Sequence, residues 1–93
     1  MILEPLVSVY ITNKNYGKYL DDAIKSVLKQ TYKKKELIII DDASSDKSYE
    51  IIEKYKNNKL LRLIYNKSSK GLIKSSNIAI KAAKGKYVIR LDA

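Results

Sequence analysis

The chain has 93 residues, enough for one small domain that buries roughly 60–65% of its unfolded surface. It contains no cysteine and no histidine, which excludes disulfides, thiolate or imidazole metal sites, cysteine nucleophiles and a Ser-His-Asp triad; any metal would need oxygen ligands, which favours magnesium or manganese. Lys and Arg number 19 against 10 Asp and Glu, and the net charge of +9 suits a polyanion or a phosphate-bearing ligand, although the lysines are scattered rather than striped.

Met1 to Leu3 is apolar but is cut short by Glu4 and Pro5, too short for a signal peptide, and no apolar run is long enough to span a membrane. A cytoplasmic location is the expectation. Leu6 to Thr12 predicts a first strand, with Val7, Val9 and Ile11 alternating with Ser8, Tyr10 and Thr12. Asn13 to Gly17 reads as a polar loop. The spacing of Leu20, Ala23, Ile24, Val27 and Leu28 predicts a helix over Lys18–Gln30, with Asp21 and Asp22 in its first turn where they suit the helix dipole.

Gln30 to Lys35 leads back to a second strand. Its Leu37-Ile38-Ile39-Ile40 run is continuous and rich in β-branched residues, the pattern of a strand buried on both faces of a parallel sheet. Asp41 and Asp42 follow at once, then a small polar turn, Ala43-Ser44-Ser45-Asp46. Ligands of open α/β sheets bind just outside the carboxyl ends of the strands, so these carboxylates stand where a ligand would be. Successive strand residues point to opposite faces, so one of the two faces a given pocket. The competing reading is that Asp41 or Asp42 caps the next helix.

That helix is predicted over Asp46–Lys56, with Ile51, Ile52 and Tyr55 as its apolar stripe. Leu60 to Tyr65 predicts a third strand, and Asn66 to Lys70 a basic loop. Gly71 opens a third helix to about Lys84, with Leu72, Ile78, Ala79, Ala82 and Ala83 on its buried side and Gly85 as its C-terminal cap. Tyr87 to Leu91 predicts a fourth strand, followed by Asp92 and Ala93. Strands alternating with helices imply right-handed βαβ units. The expected fold is therefore α/β: a partial, doubly wound, mainly parallel sheet. A sheet domain normally continues past such a strand, so residues 1–93 are expected to be part of a longer domain, truncated after the fourth strand.

Four segments carry a family resemblance through their order and spacing: Val7–Tyr16, Ser26–Tyr32, Glu36–Asp46 and Ala83–Ala93. Together they resemble the N-terminal, nucleotide-sugar-binding half of family-two glycosyltransferases, which have the Rossmann-like GT-A fold. The resemblance implies sugar transfer from a nucleoside diphosphate donor, commonly UDP-linked, to a glycan or lipid-linked acceptor, with inversion at the anomeric carbon. It implies nucleotide contacts at Thr12, Asn13 and Asn15. It maps the family's paired acids onto Asp41 and Asp42, the second of which accepts a hydrogen bond from the uracil imide. An acceptor-only carboxylate suits an N–H that cytosine lacks.

The family's Asp-x-Asp metal motif starts at Asp92, and its last acid would follow Ala93. A single carboxylate is a poor magnesium or manganese site, so weak or no metal binding is expected of these residues. Arg90 and Asp92 are two apart on one strand face, and a salt bridge between them is the competing reading for Asp92. Ser76 stands where the family often has a diphosphate-directed Arg; Lys70 or Lys74 could supply that charge, as a point charge rather than a fork. The general base and most of the acceptor site lie in the family's later half, so no transferase activity is expected of the 93 residues alone. The same resemblance allows a location at the inner membrane face.

Two other readings compete. One is a basic α/β module that binds nucleic acid through phosphates, with exposed tyrosines stacking on bases; the glycosyltransferase reading expects no nucleic acid. The other is a flavodoxin-like fold, which the lack of a glycine-rich loop disfavours. Open strand edges also lead us to expect self-association.

Overall fold

A computed structural model describes residues 4–92. The elements alternate: β1 (Val7–Asn13), α1 (Gly17–Leu28), β2 (Lys35–Asp42), α2 (Ser48–Glu53), β3 (Leu61–Asn66), α3 (Leu72–Ala82) and β4 (Tyr87–Arg90). The strands form one sheet in the order β3-β2-β1-β4, and every pairing is parallel. The chain winds outward through β1, β2 and β3, then returns across the sheet to lay β4 on the far side of β1.

Side-chain parity divides the core in two. Odd-numbered residues Ile11, Leu37 and Ile39 meet Leu20, Ile24 and Val27 of α1 and Ile52 of α2. Even-numbered Tyr10, Ile38 and Ile40 meet Ala79 of α3 on the other face. Leu37 to Ile40 are each at most 1% exposed, as expected for a strand covered on both faces. Burying each such side chain is worth about 1.5–3 kcal/mol, so this one strand anchors the fold.

Several boundaries move. Asn13 and Asn66, read as loop residues, extend their strands by one because each is tied to a neighbouring strand's Asp. α1 begins at Gly17, so no acid lies in its first turn; Asp21 instead pairs with Lys25 at 2.9 Å and accepts the Tyr55 hydroxyl. α2 is the shorter helix Ser48–Glu53. Leu72 is 53% exposed rather than buried, because α3 starts there at the rim of a cleft.

Gly85 is not the cap of α3; that position falls to Ala83, in extended backbone. Gly85 lies against β1: its N–H donates to the Ser8 hydroxyl at 2.8 Å, and a Cβ there would meet Ser8 N at 2.7 Å and Leu6 O at 2.8 Å. Beside it, at the amino ends of the strands, Glu36 accepts from Ser8, from Lys84 N–H at 2.7 Å and from Arg62 at 3.1 Å. Burial pushes the Glu36 carboxyl up, but Ser8, Lys84 and Arg62 together hold it below the usual carboxylate range.

Among the described residues, no helix is long and apolar enough to cross a membrane. The apolar start at Met1–Leu3, and Ala93, lie outside the described residues.

Candidate functional site

The parity that sorts the core also sorts the two acids. Asp41, odd, points to the α1 side. It accepts Asn13 Nδ2 at 2.9 Å, Ser44 Oγ at 2.7 Å and Ser44 N–H at 3.1 Å. Ala43 turns through a left-handed φ of 57° to bring Ser44 back to it. Asp41 thus closes the β2–α2 loop.

Asp42, even, points to the α3 side and stands in a cleft of about 380 Å³ beyond the carboxyl ends of β1 and β2. Thr12, Asn13, Lys14 and Tyr16 line it from the β1 end; Ser69, Gly71, Leu72 and Ser75 line it from the start of α3. The Asp42 carboxylate is 5% exposed at residue level and accepts four bonds. Oδ1 takes Asn66 Nδ2 at 2.9 Å and the Lys70 N–H at 2.7 Å; Oδ2 takes Ser69 Oγ at 2.9 Å and the Gly71 N–H at 3.0 Å. Burial alone would raise its pKa. The donors outweigh that, the Lys70 and Gly71 amides with Asn66 and Ser69, and hold it far below the ordinary carboxylate range. It is ionised at any physiological pH and can only accept.

Neither Asp41 nor Asp42 caps α2. The N-cap of that helix is Lys47, without a side-chain cap bond; Asp46, just ahead of it, ties the starts of two helices together, its Oδ1 accepting the Ser48 N–H at 2.9 Å and its Oδ2 the Gly17 N–H at 3.0 Å. Asp42 does organise the entry to α3, so one residue both builds the cleft and lines it. Gly71, at φ 86° and ψ 166°, occupies backbone that only glycine adopts readily, and this turns its N–H toward Asp42.

Of the residues singled out from sequence, the structure brings Thr12, Asn13 and Asp42 to one cleft. Asn15 lies outside it, left-handed at φ 60°, its Oδ1 accepting the Ser45 and Asp46 N–H groups at 2.7 and 3.2 Å; it clamps the β1–α1 loop to the β2–α2 loop. The side chains of Lys70 and Lys74 are not in the cleft lining; Lys70 contributes its backbone N–H instead. Asp92 is exposed and paired with Arg90 at 3.2 Å, the salt bridge that was its competing reading. Among the described residues no three Asp or Glu gather, so these residues do not by themselves fit a magnesium or manganese shell, and no step is assigned to a metal.

Lys14, Tyr16, Ser69 and Ser75 line the cleft without having been singled out. Lys14 alone carried a signal, as the one cation between Asn13 and Asn15. Ser69 and Ser75 carried none, since only the chain's return through α3 brings them to β2.

A doubly wound parallel sheet, with an ionised acid held in a cleft past its strand ends, defines an open α/β domain of the kind that binds ligands in the crevice beyond its strands. The chain belongs to glycosyl transferase family 2, whose family model matches residues 8–93. It is 40% identical over 90-odd per cent of its length to an Escherichia coli UDP-Glc:alpha-D-GlcNAc-diphosphoundecaprenol beta-1,3-glucosyltransferase, covering 95% of this chain and 35% of that one. The S. aureus TarS structure in complex with UDP-GlcNAc superimposes with a TM-score of 0.85 at 31% identity, covering 92% of this chain and 26% of TarS. A Pyrobaculum calidifontis mannosyltransferase in complex with GDP-Man and Mn2+ shares the fold, with a TM-score of 0.88 at 23% identity, over 97% of this chain and 28% of that one. The chain spans about a third or less of the length of these relatives.

Proposed function

We propose that this chain is the donor-binding portion of an inverting glycosyltransferase that takes a UDP-linked sugar and delivers it to a glycan or lipid-linked acceptor. The observation that carries this reading is the ionised Asp42 in the cleft beside Thr12 and Asn13. A carboxylate that can only accept favours a base with an imide N–H, as uracil has and cytosine lacks. The E. coli relative uses UDP-Glc and TarS binds UDP-GlcNAc, which supports a uridine donor. The lipid-diphosphate acceptor of the former supports a cytoplasmic location at the inner membrane face.

Chemically, the cleft's task is to hold the nucleotide so that the sugar is presented in one orientation. Asp42 reads the base, and Thr12 and Asn13 at the β1 tip meet the nucleoside. Asp92 belongs to the proposal as the acid nearest the donor's diphosphate: Leu91 N–H donates to Tyr10 O at 2.9 Å, and continuing that register sets Asp92 level with Thr12.

Titration with UDP, CDP and a single-stranded oligonucleotide at two salt concentrations tests the reading. Binding of UDP in preference to CDP, little changed by salt, is the expected result. Steep salt dependence with no base preference would instead favour the basic, phosphate-binding module.

A further inference from the structure

Asp42 presents a difficulty for any ligand. A carboxylate has about four lone-pair positions, and all four are used within the protein. An incoming imide N–H must therefore displace one donor. Three of the four are fixed: the Lys70 and Gly71 amides belong to the backbone ahead of α3, and Asn66 Nδ2 is buried and shared with Ser75 Oγ at 3.1 Å. The fourth is the Ser69 hydroxyl, on an exposed loop residue that lines the cleft.

Ser69 has a second bond. Its Oγ accepts from the Lys14 ammonium at 2.7 Å while donating to Asp42 at 2.9 Å. Lys14 comes from the opposite lip, at the tip of β1. The chain Lys14–Ser69–Asp42 thus runs across the cleft from one wall to the other.

We infer that Ser69 is a displaceable bolt over Asp42, and that its release by a uridine nucleotide frees two groups together: an Asp42 oxygen for the base and the Lys14 ammonium for a phosphate. This deepens the proposed function and rests on it. One side chain then links recognition of the base to recognition of the charge. Lys14, which lines the cleft, rather than Lys70 or Lys74, whose side chains do not, becomes the cation that favours nucleotide over nucleoside. The remaining wall, Tyr16 and Leu72, is apolar and accessible, which suits the face of a planar base.

The experiment titrates uridine and UMP into the parent chain, Ser69→Ala and Lys14→Met. The Lys70 and Gly71 amides are followed by nuclear magnetic resonance to confirm that the α3 entry stays intact. Ser69→Ala removes the competitor and is expected to tighten uridine and UMP alike, by about fivefold, the worth of one modest hydrogen bond. Lys14→Met is expected to weaken UMP by about fivefold at low salt while leaving uridine within about twofold. Ser69→Ala that weakens binding or leaves it unchanged overturns the bolt. Lys14→Met that weakens uridine as much as UMP overturns the phosphate role. A parent chain that binds neither ligand at millimolar concentration removes the uridine reading itself, a failure distinct from the other two.

Discussion

Replacing Asp42 by Asn tests whether its carboxylate holds the α3 entry in place. Asparagine keeps one carbonyl oxygen, enough for two of the four donors, and turns an NH2 group against the other two. Those two include at least one backbone or side-chain donor left buried and unpaired. At about 1.5 kcal/mol for each lost bond to a charged acceptor, the cost is about 3 kcal/mol. A domain of this length has a total stability of about 5–14 kcal/mol, so the variant should still fold. Urea unfolding followed by circular dichroism measures it. With a slope of about 1–1.5 kcal/mol per molar for so small a chain, the midpoint should fall by about 2–3 M at unchanged slope. Asp92→Asn, exposed and singly paired, serves as the control and should shift stability by less than about 0.5 kcal/mol. If Asp42→Asn costs no more than that control, the four bonds do not hold the cleft and the argument built on them fails.

The other predictions concern the frame around the cleft. Gly85→Ala would push a methyl group into Ser8 N and Leu6 O, besides the Ser8 hydroxyl, and should cost about 2–3 kcal/mol in the same urea assay, because those two backbone atoms cannot swing away. Asn15→Ala loses two bonds to the β2–α2 loop and a residue tolerant of positive φ, about 2 kcal/mol together; Asn15→Gly should recover only the conformational part, which melting temperatures of the pair would reveal. Asp42, Glu36, Asp46 and Asp21 are all held below their ordinary range, so each contributes stability that is complete above the unfolded value of about 4 and is lost progressively as pH falls from there through the lowered folded value. The urea midpoint should be flat from about pH 7 to 5.5 and decline below about 5, with a shallower decline in Asp42→Asn.

The framework was legible in the sequence because one strand announces itself. Leu37 to Ile40 reads as a doubly covered strand, and the alternation of the other elements around it pointed to a parallel sheet. Parity also foretold that Asp41 and Asp42 would part company. What the sequence concealed were the contacts between distant segments. Asn13 and Asn66 look like loop residues until each is seen bonded to an Asp on the neighbouring strand. Gly85 looks like a cap until β1 is found against it. Ser69 is one of two serines in a basic loop, and nothing local distinguishes it from Ser68. Its place depends on the Gly71 turn and on the reach of the Asp42 carboxylate, which only the folded chain defines. Lys70 and Lys74 carried the expected charge, yet neither side chain lines the cleft.

The outermost strand has a consequence for how this polypeptide behaves in a tube. Tyr87, Val88 and Ile89 of β4 are each 40% or more exposed, on a strand that pairs on one side with β1. Pairing of two copies along that strip is opposed by the mutual repulsion of molecules each carrying nine surplus positive charges. Dissolved electrolyte erodes that repulsion, whose range shrinks from about 30 Å at 0.01 M to about 10 Å at 0.1 M ionic strength. Added salt is therefore expected to promote association of this chain rather than suppress it, which sedimentation at about 0.01 and about 0.5 M salt would check.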